Sequence, residues 1–153
     1  ISDIPNFIDI KYILNESKAG KEAQVFLKNK LNNGIKNLKS QEKKIQEEEK
    51  KIIQQKKLIT QEEYKKKVTD LRAKVASLQK ERNLLLNDVS KKRAKAKNEL
   101  LKNLNPIIQA YMDEKKIRMV VDKKSILLAD TKLDITQDII KILDTKLKSI
   151  KLN

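Results

Sequence analysis

Apolar residues recur along this chain with two different rhythms. Leu31, Leu38, Ile45, Ile52 and Ile59 return every seven residues, and Leu27, Ile35 and Ile53 widen that stripe at its ends. A second series follows at the same spacing, Leu71, Leu78 and Leu85, with Val68, Val75 and Val89 as partner positions and Arg82 in one of them. Seven-residue spacing holds an apolar seam on one side of a coiled-coil helix. The seam is thin between Gln41 and Lys51, where Ile45 alone is apolar. One buried residue per heptad packs poorly and predicts mobility there. Between the two series, Thr60-Gln61-Glu62-Glu63 reads as a capping box. The Thr60 hydroxyl can accept the Glu63 N–H, and Glu63 can return to the Thr60 N–H. A helix therefore starts near residue 61, after a turn near 58–61. The prediction is an antiparallel helical hairpin over 18–104, with legs on the order of 60 Å at about 1.5 Å per residue.

Outside that stretch the rhythm changes. Pro106 predicts a kink or a new helix start. Phe7-Ile8-Asp9-Ile10 reads as a short strand, and Pro5 confines where it can begin. Ile117 to Asp122 and Ile126 to Ala129 read as a strand hairpin about a Lys123-Lys124-Ser125 turn. Thr136 is placed to cap a last amphipathic helix carrying Ile139, Ile140, Ile142, Leu143 and Leu147. The predicted fold is α+β and mostly α. A small β-containing head, 1–17 plus 105–153, carries a long helical coiled-coil arm, 18–104. Three short strands have exposed edges and are marginal alone. Pairing between copies would satisfy them, so Ile8, Ile10, Val120, Val121, Ile126 and Leu128 are the candidate oligomerisation residues.

Composition narrows the chemistry. The 153 residues include no His and no Cys, and only two glycines, Gly20 and Gly34. This leaves no Ser-His-Asp triad, Cys nucleophile, imidazole or thiolate zinc site, P-loop or dinucleotide turn. No enzyme and no cofactor are expected. No apolar run is long enough to cross a membrane as a helix. The net charge is +15, and it is concentrated: residues 18–104 hold 25 Lys or Arg against 11 Asp or Glu. Such an arm attracts polyanions and acidic polypeptides over a Debye length of about 8 Å. The candidate collective contact residues are Lys43, Lys44, Lys50, Lys51, Lys56, Lys57, Lys65, Lys66 and Lys67. Only four bases are Arg, and Tyr64 is an isolated aromatic on the arm, so specific nucleic-acid readout is not expected.

Both ends carry a resemblance. Phe7-Ile8-Asp9-Ile10, Leu14, Glu16-Ser17-Lys18-Ala19-Gly20-Lys21 and Ala23 are similar to the opening of the Skp/OmpH family of periplasmic chaperones. So are Met119-Val120-Val121-Asp122, Ile126 to Ala129, and Asp134-Ile135-Thr136 followed by Ile139. The resemblance covers almost the full chain, with its specific parts at the two ends. It implies a homotrimer of jellyfish-like form, in which strands from three subunits build a small barrel and three arms surround a cavity. It implies an ATP-independent holdase for unfolded outer-membrane β-barrel proteins, in the periplasm of a Gram-negative bacterium, with a signal peptide removed. Some relatives carry a lipopolysaccharide-binding basic cluster on the returning helix. Lys91-Lys92-Arg93 occupies a comparable region, so anionic lipid or lipopolysaccharide joins the implied partners. Two other readings stay open from the residues alone: a structural or adaptor coiled coil, and a nonspecific nucleic-acid binder with steep salt dependence.

Overall fold

The structure is a computed structural model that describes residues 3–153. Its elements are β1 (Asn6–Ile8), α1 (Ile10–Glu16), α2 (Lys18–Gln55), α3 (Gln61–Lys115), β2 (Val120–Asp122) and α4 (Thr136–Lys146). Short 3₁₀ turns occupy Lys123–Ser125 and Thr131–Leu133. The chain divides into two compact units. A hairpin unit spans Lys28–Lys91, and a mixed unit takes the residues up to Leu27 together with Lys92–Asn153.

In the hairpin unit α2 ends at Gln55 and α3 begins at Gln61. The Glu63 N–H donates to the Thr60 hydroxyl at 3.1 Å, as the capping pattern predicts. Glu62 and Glu63 place negative charge in the first turn of α3, against its dipole. Leu38, Leu78 and Val89 are buried, while Leu31, Ile45, Ile52, Ile59, Leu71 and Leu85 are half-buried. Ile53 does not join the seam. It is 61% exposed, because it lies eight residues beyond Ile45, about 80° round the helix from the partner.

The mixed unit holds the main core. Ile8, Ile13, Ala19, Leu100, Leu104, Ile107, Ile135, Ile139, Ile140 and Leu143 form one buried cluster. A satellite of Ala23, Leu27, Ala96 and Leu152 lies in the same unit. Burying each large aliphatic side chain contributes about 1.5–3 kcal/mol. Of the two outcomes expected at Pro106, a new helix start does not occur: the proline sits inside α3. Leu100 and Leu104 before it and Ile107 after it are all buried, and that continuous packed face outweighs one missing backbone hydrogen bond.

The sheet also departs from expectation. It has two strands, β1 and β2, paired in parallel with Asn6 opposite Val120 and Ile8 opposite Asp122. A parallel pair follows from a long helical crossover, where a tight turn would give an antiparallel one. Pro5 precedes β1, which begins at Asn6. Ile10 is not in a strand. Asp9 caps α1 by accepting the Tyr12 N–H at 3.0 Å, which turns the chain into helix one residue earlier. Ile126 to Ala129 is not a strand either. Asp122 and Asp130 each cap a 3₁₀ turn, and these two turns bracket the segment and redirect it. The other neighbour of β1 is instead Asp134-Ile135: Phe7 bridges Asp134, and the Ile135 N–H donates to the Phe7 carbonyl at 3.0 Å.

Thr136 is not the cap of α4 but its first residue, and it is 4% exposed. Its hydroxyl accepts the Asp9 N–H at 2.9 Å and donates to the Asp134 carboxylate, which also accepts the Thr136 N–H. One buried threonine thus joins the starts of α1 and α4. At the other end of α4, Asp144 accepts the Lys18 N–H at 2.9 Å and so satisfies the first turn of α2.

Candidate functional site

Two surfaces hold the residues singled out by sequence, one in each unit. In the hairpin unit, Lys43, Lys44, Lys50, Lys51, Lys56, Lys57, Lys65, Lys66 and Lys67 are all exposed. Lys56 lies over the Tyr64 ring at 5.3 Å, and Lys67 donates to Gln55 at 2.9 Å. Lysines on long flexible stems impose little geometry, so this surface offers cationic groups without a fixed binding frame.

The stretch with the thin seam has a feature that heptad counting missed. Glu42 pairs with Arg82 at 3.7 Å, and Glu48 takes two bonds from Lys74, at 2.8 and 2.9 Å. Gln41 donates to Glu81 at 3.2 Å. Nearer the mixed unit in sequence, Lys30 and Asp88 approach to 2.6 Å. Such exposed pairs contribute about 0–1 kcal/mol each. They do, however, specify which residues of α2 face which residues of α3. Arg82, in a seam position by spacing, is explained by its partner Glu42.

Lys91 and Arg93 are exposed, while Lys92 is half-buried and partnered. The three are consecutive on α3, so their positions fan over about 200° of the helix.

In the mixed unit the six candidate assembly residues separate by environment. Ile8 is 2% exposed and belongs to the main core of its own chain. Ile10 and Val120 are half-buried and pack against that core. Val121 and Ile126 are half-buried, and Leu128 is 87% exposed. The sequence reading passed over Leu127, which is 98% exposed beside it. Two adjacent bare leucines follow Ile126, whose φ and ψ of −112° and 127° are already those of a strand. The missed signal is the absence of alternation in Ile-Leu-Leu, since a strand with one covered face alternates.

Other chemistry is sparse. Among the described residues no group of three or more His, Cys, Asp or Glu could hold a metal ion. Tyr111 donates its hydroxyl to Asp138 at 2.7 Å. Its pKa is pushed up to about 12, first by burial, then by that hydrogen bond and by the negative charges of Asp138 and Glu114. A phenol held protonated in this way links α3 to α4 and is no general base at neutral pH.

A family model described as outer membrane protein (OmpH-like) matches residues 6–143, which takes in both helices of the hairpin and both strands. The chain belongs to the OmpH-like family. A crystal structure described as that of an OmpH-like outer membrane chaperone from Caulobacter crescentus superposes on this OmpH-like chain with a TM-score of 0.89. The sequences are 22% identical, and the match covers 99% of this chain and 90% of the other. At that identity the likeness concerns the fold. No curated protein matches the chain. Membership in the OmpH-like family supports a chaperone role in general terms.

Proposed function

We propose that this OmpH-like chain is an ATP-independent holdase of the Gram-negative periplasm, which captures unfolded outer-membrane β-barrel proteins and prevents their aggregation. The observation that carries the reading is the hairpin unit itself. All its lysines but Lys30 are exposed, it buries few side chains of its own, and it belongs to a chain of an outer-membrane-protein family.

An unfolded barrel protein in water exposes apolar strands and unpaired backbone, which drives client–client association. A cationic surface raises the rate of encounter, and many weak contacts retain the client without fixing its shape. Release needs no nucleotide, because folding into a membrane outcompetes contacts of that strength. In this reading the chain works as a homotrimer assembled through its mixed unit, with residues 1–17 and 105–153 as head and 18–104 as arm. Val121, Ile126 and Leu128, with the neighbouring Leu127, offer the apolar surface that a second copy would cover. Anionic lipid or lipopolysaccharide is a lesser partner in the same reading, attracted by the general charge.

The test is light-scattering mass after size exclusion, with a urea-unfolded outer-membrane barrel protein diluted into the sample without ATP. A trimer mass with a soluble client complex is the expected result. A monomer or dimer, with the client lost to aggregate, overturns the holdase reading and favours an adaptor coiled coil.

A further inference from the structure

The chain beyond α4 belongs to no helix or strand, yet part of it is packed. α4 ends at Lys146, and Leu147 turns to extended backbone with φ of −136° and ψ of 107°. From there the side chains alternate. Ile150 is half-buried and Leu152 is 5% exposed, while Ser149, Lys151 and Asn153 are exposed. Extended backbone sends successive side chains to opposite sides, so one face of this segment lies against the protein and the other faces water.

Its footing is a small groove. Ala23 and Leu27 stand about one turn apart on α2, and Ala96 stands on α3. These three and Leu152 make up the satellite cluster, and Ile150 packs against both the satellite and the main core. Two of the three helix residues are alanines, too short to fill the space between two helices by themselves. Leu152 supplies that volume. In sequence, this cluster is the packing of the mixed unit nearest to the hairpin unit, which begins at Lys28 and ends at Lys91.

Little else holds the segment. The Leu147 N–H donates to the Leu143 carbonyl at 2.8 Å, and past it no backbone–backbone hydrogen bond reaches 148–153 among the described residues. Lys148 shares a cleft with Lys18 and Lys141, and the carboxylate in that lining, Asp144, already accepts the Lys18 N–H. Like charges gathered there oppose docking. Ordering several residues of backbone costs free energy of the same order as burying two aliphatic side chains returns. An attachment so balanced is of the kind that opens locally, without unfolding the rest of the unit.

We propose that 148–153 is a releasable strap. Docked, Leu152 closes the groove between α2 and α3. Released, it uncovers Ala23, Leu27 and Ala96 and loosens the joint between the two helices there. The device involves no client, so it stands or falls apart from the holdase reading.

The chain has no Cys, so single-cysteine variants of the full chain report the opening directly. Leu152→Cys marks the strap, and Leu104→Cys, at a position 1% exposed in the main core, marks global unfolding. Labelling by a thiol reagent is followed at a series of urea concentrations below the unfolding transition, with circular dichroism melts confirming that each variant folds. The Leu152→Cys thiol is expected to react at least about a hundredfold faster than the Leu104→Cys thiol, at a rate nearly independent of urea, because a local opening exposes little new surface. Ala96→Cys places a thiol on the groove floor. Adding Leu152→Ser to it should raise its labelling rate about tenfold, and the same addition should leave the Leu104→Cys rate within about twofold. Equal labelling of Leu152→Cys and Leu104→Cys, rising together with urea, means that the segment leaves only when the unit unfolds, and overturns the proposal. So does an Ala96→Cys rate that Leu152→Ser raises no more than it raises the Leu104→Cys rate, since the strap then covers nothing of the groove. If Leu104→Cys does not fold, the urea dependence of Leu152→Cys labelling decides alone: a rate that climbs steeply with urea overturns the proposal.

Discussion

Replacing the two glycines one at a time tests the packing account, because both lie within α2 and only one is sterically required. In a helix interior, Gly→Ala stabilises by about 1 kcal/mol through propensity alone. At Gly20 a Cβ would stand 2.0 Å from the Leu14 carbonyl oxygen, 2.8 Å from the Ser17 hydroxyl and 2.9 Å from the Leu14 carbonyl carbon. The first and third contacts are backbone. They move only if the end of α1 moves, and α1 is held by Ile13 and Ser17, both 0% exposed. Gly20 also donates its N–H to Ser17 Oγ at 3.1 Å, a bond the displacement would stretch. Overpacking a core costs about 1–3 kcal/mol where side chains can adjust, and a backbone collision lies at or beyond the top of that range. After the propensity gain, Gly20→Ala is expected to destabilise by about 2–3 kcal/mol, a fall in Tm of about 4–12 °C. At Gly34 the nearest atoms, at 2.5 and 2.8 Å, are the two Cδ atoms of Leu85. That side chain is half-buried and can change rotamer at a cost of about 0.5–1.5 kcal/mol, so Gly34→Ala should lie within about 1 kcal/mol of wild type. Differential scanning calorimetry on both variants decides the matter. A Gly20→Ala protein as stable as wild type refutes the close approach of α1 to α2, and a Gly34→Ala protein that loses more than about 1 kcal/mol refutes the freedom of Leu85 to move aside.

Four further outcomes follow from particular residues. Tyr111 is raised from 10.0 to about 12, so the native state keeps its proton where the unfolded chain has lost it; its contribution is complete below pH 10 and is lost as pH rises toward 12. Urea titrations of wild type and Tyr111→Phe should therefore converge across that window, and a difference that stays constant contradicts the assignment. Thr136→Val leaves the Asp9 N–H without its partner and should cost about 1–3 kcal/mol by chemical denaturation. Lys116 closes α3 with φ of 57°, and the Ile117 N–H reaches back to the Met112 carbonyl at 2.9 Å, so Lys116→Gly relieves left-handed strain and should stabilise by about 1 kcal/mol in the same assay. Reversing charge at Lys43, Lys50 and Lys57 together should slow client capture in stopped-flow fluorescence and leave the light-scattering mass unchanged; loss of the assembly would refute the division of labour between hairpin and head.

Local signals proved readable where the physics is local. Thr60 and Glu63 meet as the capping pattern predicts, because a cap involves residues three apart and needs nothing from the rest of the chain. The heptad rows run as helices, and Leu38 and Leu78 bury as their spacing requires. The departures have two causes. At Thr136 a distant partner overrode the local reading, while at Ile10 and at Ile126 to Ala129 the aspartates beside them, Asp9, Asp122 and Asp130, turned the chain by capping. Asp9 reaches Thr136 across 127 positions, and Asp144 caps a helix 126 residues earlier. Among the site residues, the exposure of the lysines was legible from their number on a breaker-free helix. The bareness of Leu127 and the pairing of Glu42 with Arg82 were not, since both depend on which residues stand opposite.

The sequence by itself therefore determined the helical hairpin, its turn, its charge and the absence of any thiol or imidazole. These follow from periodicity and residue type, which act over a few positions. Tertiary structure alone decided the parallel pairing of β1 with β2, the burial of Ile8 and Thr136, and which polar residues of α2 meet which of α3. Those depend on contacts between residues far apart in the chain, and the free energy of such contacts is set by the partner as much as by the residue.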